Sequence, residues 1–123
     1  MMAIFKNKFF AQWAEKQGLL DEDLVFAVDE MINGLYEANL GGHVFKKRLS
    51  FGGKSKRDGA RTIIAFKLDC RCFFIYGFSK SKKDNITKKE LAALKALAKL
   101  YLSYDKNELK KAINAYELVE VKR

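Results

Sequence analysis

Residues 43–83 decide the fold of this chain, because a β-strand pattern and a dense cluster of positive charge coincide there. The stretch reads HVFKKRLS (43–50), FGGKSKRDGA (51–60), RTIIAFKLDCRCFFIYGF (61–78) and SKSKK (79–83). The first segment alternates as a strand does, the second has the glycines and charges of a long loop, and the third is apolar enough for two strands covered on both faces. We therefore predict three antiparallel strands, with a basic loop after the first and another after the third: 44–50, 61–68 and 71–78.

Helical periodicity flanks these strands on both sides. Apolar residues at three- and four-residue spacing predict four helices, over approximately 8–17, 22–34, 88–103 and 106–115. Gly18 is expected to end the first helix and Asp21 to cap the second. The last two helices follow sequences typical of capping boxes, Thr87 with Glu90 and Asp105 with Glu108.

The apolar residues of the first two helices are expected to form a core. Phe9, Phe10 and Trp13 recur at helical spacing in the first, and one face of the second combines Leu24, Val28, Met31 and Leu35. Residues 2–6 and 117–121 are predicted as short additional strands, and 37–42 as a loop. The expected fold is a single α+β domain over residues 1–123, with N-terminal helices packed on a mainly antiparallel sheet and helices at the C-terminus.

The composition is that of an ordinary globular protein. Apolar residues make up 49% of the 123 residues, and no stretch has the roughly 18–20 consecutive apolar residues of a membrane span. The N-terminal residues lack the apolar segment and cleavage site of a secretory signal, so we expect a cytoplasmic protein. In that reducing compartment Cys70 and Cys72 are expected to be free thiols.

Positive charge is concentrated in the second part of the chain. Residues 1–42 contain three Lys and seven acidic residues, whereas residues 43–123 contain 21 basic and eight acidic residues. Residues 43–62 alone contain seven Lys and Arg against one Asp. Scattered lysines keep a small protein soluble, but solubility does not require such a cluster. We therefore predict a polyanionic partner for this surface, such as a nucleic-acid backbone.

Sequence motifs for other chemistries are absent. Neither Gly41-Gly42 nor Gly52-Gly53 has the spacing of a phosphate-binding or dinucleotide-binding loop. The chain has one histidine, His43, so a zinc site or a Cys–His catalytic pair would lack the further groups it needs. We therefore expect no metal ion and no cofactor.

Cations remain as the candidate functional groups. On the predicted strand 44–50, Lys46 and Arg48 share one face, whereas Lys47 belongs to the other. Arg61 begins the next strand, so its side chain is expected to converge with theirs.

Such a cluster of cations can also promote RNA cleavage. In this reaction the 2′-hydroxyl attacks the neighbouring phosphate, so the protein has to align the hydroxyl, neutralise the developing charge and move protons. An arginine over the phosphate oxygens supplies the charge, and a lysine can act as the base where neighbouring cations lower its pKa. These steps require no metal ion.

Four short motifs occur in the order found in toxins of the RelE/ParE superfamily. They are LGGHVFKKR (40–48), GARTII (59–64), Tyr76-Gly77 and KSKKDNI (80–86). From Trp13 to the helix predicted to end near Ser103, the chain resembles the RelE-like branch of that superfamily.

The resemblance implies an endonuclease that depends on the ribosome, cuts mRNA in the A site without a metal ion, and is held inactive by a cognate antitoxin. The two strand cations of the family match Lys46 and Arg48. Its arginine after the loop matches Arg61, and the lysine of its later loop matches Lys80. These four are therefore the predicted catalytic residues, and the expected partners are the antitoxin and the ribosome with its mRNA. Further cations are predicted to contact RNA or the ribosome: Lys47, Lys54, Lys56, Arg57, Lys82 and Lys83.

Two positions depart from the pattern of RelE toxins. Ser81 stands where the family has an arginine, and Thr87 where it has a tyrosine. Either the acid of the reaction is another group, with His43, Lys82 and Lys83 as the candidates, or the activity is altered. Histidine is suited to this role because it titrates near neutral pH.

Two other functions are compatible with the same cationic surface. A ParE-like gyrase poison would damage DNA and leave mRNA intact, and a nucleic-acid-binding module without catalysis would cleave nothing. For all three functions we expect a partner with an acidic segment to cover residues 43–62, with an affinity that falls as salt rises.

Overall fold

The computed structural model describes residues 2–53, 59–68 and 70–123, and these residues form four helices and one six-stranded sheet. In chain order the elements are β1 (Ala3–Asn7), α1 (Lys8–Gln17), α2 (Asp21–Ile32), β2 (Ala38–Gly41), β3 (Val44–Leu49), β4 (Ala60–Phe66), β5 (Arg71–Ser79), α3 (Lys88–Ser103), α4 (Lys106–Asn114) and β6 (Leu118–Glu120). The strand order is β2-β3-β4-β5-β1-β6, and only the β1–β5 pair is parallel. The predicted α+β fold with a mainly antiparallel sheet is confirmed.

The edges of the sheet differ in part from the prediction. The two short strands predicted at the chain ends are confirmed as β1 and β6, and β1 lies inside the sheet between β5 and β6. The prediction of a loop over 37–42 is wrong, because Ala38–Gly41 form the edge strand β2, which pairs with β3. Pairing with β3 satisfies backbone groups that a loop would leave to water.

Alternation along the central strands separates two hydrophobic cores. Ile64 and Phe74 face the core formed with α1 and α2, whereas Ile63 and Phe73 face the core formed with α3 and α4. Every residue of β4 is buried, because helices cover both faces of this strand. The sheet therefore lies between the layer of α1 and α2 and the layer of α3 and α4. Along β3 or β4, alternate side chains face alternate layers.

The ends of the helices follow from local capping. The Asn7 side chain accepts a hydrogen bond from the Phe10 N–H at 2.8 Å at the start of α1, and Gly18 ends that helix with a φ of 79°. Both predicted capping boxes are confirmed: Thr87 with Glu90, and Asp105 with Glu108.

Within the described ranges no helix is both long and apolar enough to cross a bilayer.

Asp21 does not cap α2 as predicted. The helix begins at Asp21, and the residue before it, Leu20, donates its N–H to Asp23 Oδ2 at 2.9 Å. Asp21 instead accepts hydrogen bonds from Lys6 Nζ at 2.7 Å and from the Lys122 N–H at 3.0 Å. This carboxylate therefore joins the start of α2 to β1 and to the C-terminal residues.

Two residues predicted to belong to the core are exposed instead. Phe9 is 74% exposed and Leu35 is 54% exposed. Phe9 is out of phase with the buried side of α1, which contains Phe10 and Ala14. Leu35 follows the last residue of α2, Ile32, so the helical period no longer applies to it. Apolar spacing predicted the helices but not the phase or end of each buried face.

The two cysteines are free, as predicted. Cys70 is exposed in the turn before β5, and Cys72 is buried within β5. Burial raises the pKa of the Cys72 thiol well above its ordinary value, so this thiol stays protonated and behaves as a small apolar side chain.

Gly77 is required where α1 packs on β5. A Cβ atom added at Gly77 would lie 2.2 Å from an atom of the Trp13 ring, which is far inside van der Waals contact. We expect Gly77→Ala to lower the free energy of unfolding by about 1–3 kcal/mol, because Trp13 or the strand must move. Chemical denaturation measures this loss. In a Trp13→Leu background the same substitution should cost much less, and equal costs in the two backgrounds would contradict the proposed clash.

Candidate nucleic-acid interface

Two arginines face each other across strands β3 and β4. Arg48 pairs in register with Arg61, so both side chains project from the same face of the sheet. Lys46 lies two residues before Arg48 and shares that face, which is the one covered elsewhere by α3 and α4. The structure thus brings together Lys46, Arg48 and Arg61, which we call the cationic face.

The cationic face is suited to binding an anion. The Arg48 Nε atom is buried and has no hydrogen-bond partner among the described residues. A buried donor without an acceptor costs about 1–3 kcal/mol, and more where it is charged. Arg61 beside it is only 3% exposed, so its charge is also held largely away from water. An anion that accepts hydrogen bonds here would satisfy the Arg48 donor and reduce the repulsion between like charges.

The pKa of the Lys46 ammonium is lowered from its ordinary value. Partial burial is the largest cause, and the positive charges of Arg61 and Arg48 add to it. The Glu37 carboxylate acts in the opposite direction. Glu37 also accepts a hydrogen bond from the backbone N–H of Arg48, so it is fixed beside the face. A larger fraction of Lys46 is therefore neutral near pH 7 than for an isolated lysine.

The loop that follows β5 contacts both strand β3 and helix α3. We call residues 80–87 the 80–87 loop. Asn85 Oδ1 accepts a hydrogen bond from Lys46 Nζ at 3.3 Å. Lys83 Nζ lies 2.5 and 2.6 Å from the two carboxylate oxygens of Glu90 and 6.0 Å from the centroid of the Tyr76 ring. The loop therefore contacts the cationic face through Asn85, and an ion pair joins its Lys83 to the first turn of α3.

Tyr76 belongs to this region, and the sequence interpretation missed it. Strict alternation along β5 would place Tyr76 on the same face as Phe74, two residues earlier. A register irregularity between Ile63 and Ile64 breaks this alternation, so Tyr76 pairs with Ile63 in the row that contains Lys46. Its hydroxyl lies 3.5 Å from Glu90 Oε2. A bulge inside an apolar strand leaves no clear sequence signal, so alternation could not have found this residue.

Asn85 and Glu90 were also missed as members of the region. Each has an ordinary local role, since Asn85 Oδ1 accepts the Ile86 N–H at 2.9 Å and Glu90 belongs to the capping box of α3. Asn85 contacts Lys46, which is 39 positions earlier in the sequence. Glu90 belongs to α3 and contacts Lys83 of the 80–87 loop. The only sequence signal for Asn85 was its place in the segment KSKKDNI, which matches the family pattern. That match assigned no role to the asparagine.

The ion pair between Glu90 and Lys83 is expected to break at low pH, when the Glu90 carboxylate takes up a proton. The hydrogen bond from Lys83 is the largest cause that lowers the pKa of Glu90, to about 2 from an ordinary 4.5. A carboxyl whose pKa is lower in the folded state stabilises that state above pH 4.5 and loses this effect as the pH falls towards 2. We expect NMR to show Glu90 titrating near pH 2, together with a change in the Lys83 signals. Glu90→Gln keeps the capping acceptor and should remove the linked change, whereas titration of Glu90 near 4.5 would contradict the contact.

Lys47 does not belong to the interface, which corrects its assignment as a nucleic-acid contact. Its side chain is 1% exposed, on the sheet face opposite Lys46, and its Nζ lies 3.0 Å from Glu30 Oε1 on α2. An ammonium enclosed in this way is not available to RNA. Lys47 is instead part of the contact between α2 and the sheet.

His43 also lies away from the arginine pair. It occupies the turn between β2 and β3 with a φ of 63° and is exposed. Arg48 is five residues further along β3, which corresponds to about 16 Å of strand. The structure therefore does not bring the predicted candidate acid His43 to the Arg48–Arg61 pair.

The other predicted contacts are placed as follows. Lys80 and Lys82 are exposed just after Ser79, which pairs with Ala60 beside Arg61. Both lysines are thus at the arginine end of the sheet. Three predicted cations lie outside the described residues: Lys54, Lys56 and Arg57.

The two residues that depart from the family pattern, Ser81 and Thr87, make local contacts. The Thr87 hydroxyl accepts the Glu90 N–H at 3.1 Å as the N-cap of α3. The Ser81 hydroxyl lies 3.3 Å from that of Ser79. A short hydroxyl in a local contact thus stands at each of these two positions.

With this geometry established, comparison with known proteins identifies the family. The family model described as RelE toxin of RelE / RelB toxin-antitoxin system matches residues 2–121. The chain belongs to the RelE toxin family. It is thus a toxin of a toxin–antitoxin system, and its family implies a cognate antitoxin as partner. A search of curated proteins finds no match.

Proposed function

We propose that this RelE toxin is a ribosome-dependent endoribonuclease that cleaves mRNA in the cytoplasm without a metal ion. The observation that supports this function best is the in-register Arg48–Arg61 pair with Lys46 on the same face. Two guanidinium groups suit the oxygens of one phosphodiester, because their planar N–H groups match oxyanions geometrically. A lysine whose pKa is lowered is the kind of group that can accept a proton near neutral pH.

The proposed reaction begins with the mRNA phosphate bound by Arg48 and Arg61. Neutral Lys46 takes the proton of the 2′-hydroxyl, and the resulting oxygen attacks the adjacent phosphorus. The P–O bond to the 5′-oxygen breaks, which leaves a 2′,3′-cyclic phosphate on one fragment. The arginines stabilise the additional negative charge on the phosphate oxygens, where fixed donors commonly account for 10²–10³-fold in rate, as an order of magnitude.

The leaving 5′-oxygen has to receive a proton, and we assign this step to Lys80. This lysine is exposed at the end of β5, beside the strand that contains Arg61. Lys83 is less suited, because its ion pair with Glu90 already engages its ammonium and raises its pKa. Lys82 remains available for contacts with the RNA backbone.

Two partners complete the proposal. The ribosome presents the mRNA in its A site, and ribosomal RNA is the polyanion to which the basic second part of the chain is suited. We propose that an acidic segment of the antitoxin covers β3 and the adjacent loop, because carboxylates can occupy the anion position between Arg48 and Arg61. RNA and antitoxin would then compete for one surface.

Purified toxin with ribosomes programmed by a defined mRNA tests this function. Cleavage should require the ribosome, persist in EDTA, and yield a 2′,3′-cyclic phosphate at the new end. A ParE-like gyrase poison would leave the message intact and trap cleaved DNA in a gyrase assay. Absence of cleavage on programmed ribosomes would end the endonuclease proposal.

A further inference from the structure

The side chain of Asn85 contacts the amine of Lys46, which lies on the same face as the arginines. Its Oδ1 atom accepts the Ile86 N–H at 2.9 Å and the Lys46 Nζ at 3.3 Å. A carbonyl oxygen has two lone pairs, so both bonds can form at once. The bond to the backbone of the next residue fixes the asparagine side chain independently of the lysine. The acceptor is therefore already oriented when Lys46 reaches it.

We propose that Asn85 is the positioning residue for the reactive amine of this toxin, and that its neutrality is what the site requires. Lysine has a long, flexible side chain, and without an anchor Lys46 would spend most of its time away from a bound phosphate. The amide oxygen holds the amine without introducing a negative charge. This inference rests on the proposed function for its catalytic consequence, but the Lys46–Asn85 contact itself does not.

Neutrality matters because of the charges that face Lys46 from each neighbouring element. Arg48 on its own strand and Arg61 on β4 favour the neutral amine, and Glu37, just before β2, favours the ammonium. On the fourth side, the 80–87 loop presents the amide of Asn85. A carboxylate at this position would lie within hydrogen-bond distance of Nζ and would favour the ammonium, against the effect of the two arginines.

Asn85→Asp tests the proposal, since aspartate keeps an oxygen that can accept the Ile86 N–H. Single-turnover cleavage is measured on programmed ribosomes from about pH 6 to about pH 9. We expect the rising limb of the rate profile to move up by about one pH unit, so that cleavage at neutral pH is about tenfold slower and recovers in alkali. In parallel, NMR of the lysine side chains follows the titration of Lys46 in the free protein, which should shift in the same direction.

A swapped variant provides the matched control. Asp84→Asn combined with Asn85→Asp leaves the net charge of the loop unchanged but still puts a carboxylate against Lys46. If contact with Lys46 is the cause, the swap shows the same displaced limb as Asn85→Asp. If the net charge of the loop is the cause, the swap restores the profile of the unsubstituted protein, and the proposal is overturned.

The NMR measurement tests the Lys46–Asn85 contact independently of the proposed endonuclease activity. An unchanged Lys46 titration in Asn85→Asp would overturn the positioning role whether or not the protein cleaves mRNA. A shifted titration together with no cleavage by the unsubstituted toxin would keep the Lys46–Asn85 contact and reject the endonuclease. A shifted titration with an unmoved rate limb would show that Lys46 is not the base, and would overturn the catalytic role assigned to Asn85.

Discussion

Arg61→Ala should abolish growth arrest in cells and lower the rate of mRNA cleavage by about 10²–10³-fold, the effect typical of removing one fixed donor from a developing oxyanion. Arg61 is the more enclosed of the paired arginines, at 3% exposure, and its charge is therefore little screened by water. The test combines expression of the variant in cells without antitoxin and single-turnover cleavage on programmed ribosomes.

Because Arg61 is buried, truncation could act through stability, and two further variants separate the causes. Arg61→Lys keeps a positive charge but loses the planar pair of donors, so we expect cleavage between that of alanine and arginine. Lys16→Ala removes an exposed charge from α1, on the other side of the sheet, and should cleave normally. A well-folded Arg61→Ala protein, with a melting temperature near that of the unsubstituted chain and full cleavage, would refute the role of Arg61.

The cationic face could be predicted from sequence because it depends on local parity. Lys46 and Arg48 alternate with apolar or buried residues in one strand, and Arg61 is the second residue of the strand that returns beside it. In an antiparallel hairpin these positions determine which side chains share a face, whatever the rest of the fold. For the same reason the helices and their capping boxes were predicted close to their observed ends.

The environment of this face could not be predicted, because it depends on contacts between distant segments and on one irregularity of the sheet. Asn85 reaches Lys46 across 39 positions of sequence. Tyr76 joins the row of Lys46 only because the alternation of β5 is broken at a bulge. Neither the contact of Asn85 nor the bulge in β5 can be read from the spacing of residues in the sequence. Charge density in the sequence identified a binding region, but not which cations are free to use it.

Lys47 shows this limit most clearly and gives the second large effect that we expect. It belongs to the Lys46-Lys47-Arg48 run and looks equivalent by composition, yet it is 1% exposed and paired with Glu30 at 3.0 Å. Lys47→Met removes an almost fully buried ammonium and its ion pair with Glu30. We expect a loss of about 3 kcal/mol in the free energy of unfolding, measured by urea denaturation.

The double variant Lys47→Met with Glu30→Leu decides whether the pair or the surface matters. Removing both charges replaces the pair by apolar contacts of similar volume, which is often neutral for stability, so we expect most of the loss to be recovered. The recovered protein should also bind and cleave RNA as the unsubstituted toxin does, because its cationic face is unchanged. A double variant that is stable but no longer binds RNA would return Lys47 to the interface, since only a direct contact with the polyanion would then explain the loss.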